Sequence, residues 1–243
     1  MSLRVPDEER EAAIARLLEL HPEGFEEAAG ELAIYTDAEG EKRLRAEFGG
    51  VRAELVEPGW EERWREFHRP VWVGPLWIGP PWEEPPAEGI AVIVDPGRAF
   101  GTGSHPTTRL CLEFLTELEP GSLLDVGCGS GVLSIAAAKL GFAPVHAVDR
   151  EPAAVEATAR NAKANAVDLD VRQSDALQAD LPPVDLVVAN IHLAGVDALA
   201  VRISARRFLT AGYFHSRMPE AAAFTHIERR IDGGWAADLF ERQ

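Results

Sequence analysis

From residue 90 onward, short apolar runs alternate with amphipathic stretches of helical period. IAVIVD (90–95), SLLDVG (122–127), PVHAVD (144–149), DLDVRQ (168–173) and VDLVVAN (184–190) read as strands. TTRLCLEFLTEL (107–118) places Leu110, Cys111, Phe114, Leu115 and Leu118 on one helical face. Pro106 falls in its first turn, where a missing N–H is harmless. GVLSIAAAKLG (131–141) predicts a helix closed by Gly141, and EPAAVEATARNAKANA (151–166) a helix with Pro152 near its start. Such alternation implies a parallel sheet covered on both faces. The expected fold class is therefore α/β: a Rossmann-like, doubly wound, mainly parallel sheet over 90–243.

The first 57 residues have a different rhythm. Ala12, Ala13, Leu17 and Leu20 recur at helical spacing within 7–20. ELAIYTD (31–37) and VRAELVE (51–57) read as strands, and EGEKRLRAEF (39–48) as a helix ended by Gly49-Gly50. With short strands at Leu3–Val5 and near Phe25, the order becomes β-α-β-β-α-β, a small ferredoxin-like α+β module over 1–57. Between the two parts, 58–89 holds five of the six tryptophans and seven prolines. A short helix at 60–67 and one or two extended segments are expected, in a stiff linker. Its tryptophans pack between domains or form a docking surface for a partner.

Charge narrows the partners. The net charge of −16 disfavours bulk nucleic-acid binding and favours a basic protein. No apolar run approaches the roughly 18–20 residues of a membrane span. The acidic start of the chain lacks a signal core. Two cysteines, Cys111 and Cys128, give neither a disulfide framework nor a metal spacing, which points to a reducing cytoplasm and no metal.

The chemistry gathers at LLDVGCGSGVL (123–133). A buried strand runs through Asp125 into Gly127, Gly129 and Gly131, then into a helix. Such glycines let the chain turn sharply and let a ligand approach, and the helix N-terminus adds N–H donors. Asp149 ends the next strand, 18 residues after Gly131, where a ribose would receive hydrogen bonds. A dinucleotide fingerprint would place its third glycine at 132, which is Val132. The G-x-G-x-G spacing resembles motif I of the Rossmann-like S-adenosylmethionine methyltransferases. By that resemblance Asp175, after the third strand, lies near adenine; it reads equally as a turn residue. Asn190, in VVANIHLAG, resembles the motif of methyltransferases that alkylate nitrogen, although Asn is also common where a strand turns.

VDPGRAFGTGSHPTTRLCL (94–112) is similar to the signature upstream of motif I in the ribosomal protein L11 methyltransferases, which trimethylate amino groups. The segment PGWEERWREFHRPVWVGPLWIGPPW is similar to their linker, which follows a small substrate-recognition domain. The resemblance implies S-adenosylmethionine as cofactor. It implies a cofactor-binding set of Phe100, Gly101, Thr108, Asp125, Gly127, Gly129, Gly131, Asp149, Asp175 and Asn190, with Asn190 also holding the acceptor amine. It implies a basic ribosomal protein as partner. His105 reads as a helix-start group or a base, and His192 as a site-lining residue or simple variation. The C-terminal third departs from the family: RFLTAGYF (207–214) is the expected fifth strand, without a preceding Pro-Gly-Gly. THIERRI and WAADLFE form a final hairpin through Asp232-Gly233-Gly234, and HSRMPEAAAF is too short for a crossover helix. Because these changes touch substrate-selecting regions, two alternatives stay open. One is methylation of another protein or a small amine; the other is a cofactor-binding protein without transfer activity.

Overall fold

A computed structural model describes residues 2–4, 16–17, 26–28, 31–34, 36, 38–48, 69–95 and 103–243. The chain divides into two compact units, 1–66 and 67–243. In the first, β1 (Ser2–Arg4), β2 (Glu26–Ala28) and β3 (Glu31–Ala33) form an antiparallel sheet in the order β1-β3-β2, followed by α1 (Ala38–Glu47). That order arises when the second strand of a hairpin inserts beside the first strand, as a β-α-β-β start requires. The expected strand at 51–57, the helix at 60–67 and most of the helix at 7–20 lie outside the described residues.

The second unit begins with a three-stranded sheet of β4 (Val71–Val73), β5 (Leu76–Gly79) and β6 (Ile90–Ile93). Residues 69–89, read from sequence as part of the linker, thus carry two paired strands, turned by Gly74 with φ +53°. Of the linker tryptophans, Trp77 is buried and Trp72 is half exposed.

The large sheet uses β7 (Leu123–Val126), β8 (Val145–Asp149), β9 (Asp170–Gln173), β10 (Val184–Asn190), β11 (Ala205–Phe214), β12 (Phe224–Asp232) and β13 (Trp235–Arg242). Its order is β12-β13-β11-β10-β7-β8-β9. Strands β7 to β11 are mutually parallel, and β13 inserts antiparallel between β11 and β12. Among the described residues, four helices cover it: α2 (Pro106–Glu117), α3 (Val132–Lys139), α4 (Pro152–Ala164) and α5 (Leu193–Ala200).

Both faces are apolar, as a parallel sheet requires. One face packs Leu186, Val188 and Leu209 against Leu110, Phe114, Val132, Ile135 and Ala162, with Leu76, Ile78 and Val92 of the small sheet joining the same core. The other packs Val187, Phe208 and Phe240 against Val196 and Leu199 of α5. Helix cover on this second face comes from α5 alone among the described residues.

The shortage comes from the connection between β11 and β12. These strands run in the same direction, yet residues 215–223 join them without a helix. A parallel connection ordinarily needs a dozen or more residues, most often helical. Here a polar cluster stands in. Asp238, fully buried, accepts from Arg229 Nε and Nη2 (2.9 Å each), His226 Nε2 (2.7 Å) and Tyr213 Oη (2.8 Å). Arg229 also donates to the carbonyls of His215 (2.9 Å) and Arg217 (2.7 Å). The ion pair therefore fastens the short connection to the sheet.

Candidate active site

The parallel strands of the large sheet all end on one edge. After β7 the chain turns through Gly127, Gly129 and Gly131, with φ of +74°, +55° and +83°. A Cβ on Gly127 would lie 2.6 Å from Ile191 Cγ2, and one on Gly131 2.9 Å from Thr158 Cγ2. Both the dihedrals and the packing therefore demand glycine at these two positions. The Gly127 contact also sets the loop against the residue that follows Asn190.

Asp149, at the end of β8, is bound to this loop directly. Its Oδ2 accepts the Gly129 N–H (3.0 Å) and its Oδ1 the Glu151 N–H (3.0 Å). Each carboxylate oxygen keeps acceptor capacity beyond one such bond. Asp125 is buried behind the loop, where Ser134 Oγ donates to Oδ2 at 2.5 Å. Burial pushes its carboxyl up to about 6, against the Ser134 bond, and the Asp149 charge adds to the rise. Asp125 thus braces the first turn of α3. Cys128, between the glycines, is buried with its thiol pushed up by that burial, so it carries no thiolate chemistry.

Asn190 ends β10, and Thr108 lies buried in the first turn of α2. The two side chains meet: Asn190 Nδ2 donates to Thr108 Oγ1 at a long 3.4 Å. With its amide nitrogen turned that way, Oδ1 is directed elsewhere as an acceptor. Asp175 sits in a turn after β9, where Oδ1 accepts the Leu177 N–H (2.9 Å) and Oδ2 the Gln178 Nε2 (2.6 Å). Phe100 and Gly101 lie outside the described residues.

His105 is the N-cap of α2. Its Nδ1 accepts the Thr107 N–H (3.4 Å) and lies 2.8 Å from Thr107 Oγ1. Burial, and then the Arg109 charge, lower it to about 4, so the ring is neutral near pH 7. His192 is the N-cap of α5 without a side-chain capping bond.

Two aromatic residues that sequence reasoning passed over stand at the same edge. Trp235, at the start of β13, meets His105 edge-on (centroids 4.9 Å) and stacks on Phe214 (4.4 Å). The hairpin turn brings it there: Gly233 and Gly234 both have positive φ, and a Cβ on Gly233 would lie 3.5 Å from Pro106 Cγ. Arg109 pairs with Asp232 beside it. The available signal was that the sixth tryptophan lies far from the other five and directly follows a Gly-Gly turn. Among the described residues, no cluster of side chains suits a metal ion, and no helix is long and apolar enough to cross a membrane.

Known proteins resemble this chain over most of its length. The profile of the family "Ribosomal protein L11 methyltransferase (PrmA)" matches residues 10–216, which ends just after β11. A ribosomal protein L11 methyltransferase of Legionella pneumophila (strain Lens) is 39% identical over 203 residues, covering 76% of this chain and 69% of that protein. One from Exiguobacterium sp. is 42% identical over 209 residues, covering 78% and 67%. The crystal structure of a ribosomal protein L11 methylase from Lactobacillus delbrueckii subsp. bulgaricus superposes with a TM-score of 0.65 at 27% identity. That superposition covers 72% of this chain and all of the other. The chain belongs to the ribosomal protein L11 methyltransferase family.

Proposed function

We propose that this chain transfers methyl groups from S-adenosylmethionine to amino groups of ribosomal protein L11. The observation that carries the reading is the meeting of Asn190 with Thr108 at the strand edge that also holds the glycine loop and Asp149.

The residues present fit the cofactor. The loop is closed to side chains at Gly127 and Gly131, which leaves backbone to face a ligand. Asp149 retains acceptor capacity for the two ribose hydroxyls. The cofactor supplies an electrophilic methyl group on a sulfonium, so the protein need add little beyond alignment and exclusion of water. Good alignment alone can lower a barrier by about 7–11 kcal/mol.

The amine is the harder partner. A lysine ammonium has a pKa of about 10.4 and must lose its proton before it can attack. Removal from water lowers that value. The Asn190 carbonyl accepts a hydrogen bond from the amine and orients its lone pair without forming an ion pair. A carboxylate in its place would stabilise the unreactive ammonium. Phe214, partly exposed and backed by the buried Trp235, supplies apolar surface at the same edge, suited to the methylene stem of such a side chain.

Asn190→Ala tests this role. Turnover should fall by at least tenfold while the dissociation constant for S-adenosylhomocysteine, the spent cofactor, changes less than about threefold, as expected for a contact made to the amine. Equal losses in both would show that Asn190 serves the cofactor alone.

A further inference from the structure

Helix α4 and its C-cap residue turn three buried polar side chains, Thr158, Asn161 and Asn165, toward the core. Their spacing, i, i+3 and i+7, puts them on one face. All three are engaged with backbone. Thr158 Oγ1 donates to the Gly129 carbonyl (3.0 Å), and Asn161 Nδ2 to the Ser130 carbonyl (2.9 Å). Two successive carbonyls of the glycine loop are thus held against α4. In a trans peptide the N–H opposes the C=O, so the orientation of these peptide planes is fixed by the helix.

The same face also holds β6. Asn161 Oδ1 accepts the Asp95 N–H (3.1 Å). Asn165 Oδ1 accepts the Ile93 N–H (2.9 Å), and its Nδ2 donates back to the Ile93 carbonyl (2.6 Å). Residues 93 and 95 expose their backbone groups on the same edge of an extended chain, one pleat apart. Two asparagines one helical turn apart match that spacing, so side-chain amides pair an edge where a strand would otherwise lie. Asn161 joins both systems. Its acceptor holds Asp95 and its donor holds Ser130, and the residue as a whole is buried.

We propose that Asn161 is a positioning residue for cofactor binding: its buried amide ties the glycine-loop backbone at Ser130 to the chain at Asp95, just past the end of β6, and so fixes the loop in its cofactor-binding form. The proposal rests on the S-adenosylmethionine reading above. It assigns the affinity of that cofactor in part to a side chain on the far side of the loop from the ligand.

Asn161→Asp separates the two bonds. The shape and the acceptor for Asp95 remain, while the donor to Ser130 is lost whenever the new carboxyl is ionised. Burial raises the pKa of such a carboxyl, and its protonated form can donate again. The experiment is calorimetric binding of S-adenosylhomocysteine between pH 6 and 8.5, with methyl-transfer kinetics in parallel. At the upper pH the variant should bind about 3- to 10-fold more weakly than the wild type, the worth of one net hydrogen bond. The ratio should return toward one as pH falls. KM for the cofactor should rise, with kcat at saturation changed by less than about twofold, as for a lost ground-state contact. Two further variants keep the outcome decidable. Thr158→Val, close in volume, removes the neighbouring loop bond and should weaken cofactor binding in the same direction without the pH dependence. Asn165→Asp should lower the melting temperature yet leave cofactor affinity within about twofold, since it holds β6 and not the loop. Unchanged affinity in both N161D and T158V, or equal weakening by N161D and N165D at every pH, would overturn the proposal. If the wild type itself fails to bind, it is the cofactor reading that has failed.

Discussion

Arg229→Met should destabilise the protein severely, although Arg229 lies on the outermost strand of the sheet. Its guanidinium supplies two of the four hydrogen bonds that reach the buried Asp238 carboxylate, and the others come from His226 and Tyr213. The Arg229 side chain keeps 21% of its exposure and that of Asp238 keeps none, so the carboxylate suffers more from the loss. Removing one partner of a buried pair costs about 3–5 kcal/mol, because a charge is left without compensation. The carbonyls of His215 and Arg217 lose their donor as well. For a chain of this size each kcal/mol moves the melting temperature by roughly 2–4 °C, so a fall of about 6–20 °C is expected in circular-dichroism melts. The double variant R229M/D238L, which removes both charges, should recover much of the loss. A loss in R229M below about 1 kcal/mol, the range of an exposed pair, would refute the claim that this ion pair replaces the crossover helix.

Three further outcomes follow from the site. Asp125 has its folded-state carboxyl raised from 3.8 to about 6, so the folded protein binds that proton more readily than the unfolded chain. Stability from this group is therefore present below pH 4 and lost as pH rises through 6, by about 3 kcal/mol in total. The difference in stability between D125N and the wild type, followed by urea titration across pH 4–7, should change with that sign; a flat difference would contradict the assignment. Asp149→Ala should weaken cofactor binding by about 1.5–3 kcal/mol, the worth of bonds to a charged acceptor, with calorimetry as the check. His105 is held neutral, with its pKa lowered to about 4, so the pH profile of turnover should show no inflection near the ordinary 6.5. An inflection there that H105N abolishes would make His105 a working base.

What the sequence disclosed depended on how local each signal was. VDLVVAN matches β10 residue for residue because its centre, residues 186–189, is buried on both faces and so reads as an unbroken apolar run. The glycine loop is legible because its positive φ values permit little else. Helix α5 is less so: the N-cap of LAGVDALA, His192, makes no side-chain capping bond, and apolar residues fall around most of the helix circumference. The order of the sheet is not local at all. The insertion of β13 between β11 and β12 depends on pairings such as Thr210 with Asp238, and on the bulge at Gly212, where a Cβ would lie 2.3 Å from the Ile191 carbonyl oxygen. The Thr108–Asn190 contact joins residues 82 positions apart, and only the resemblance to a family named both beforehand. Trp235 escaped notice because its place beside His105 comes from the Gly233-Gly234 turn meeting the start of α2, a contact between distant segments.

The most direct measurement of the central claim is mass spectrometry of purified ribosomal protein L11 after incubation with this chain and S-adenosylmethionine, beside the same reaction with N190A. The wild type should add mass increments of whole methyl groups to amino groups, and the variant should add strongly reduced increments. L11 that stays unmodified by a wild-type protein shown to bind the cofactor would contradict that claim.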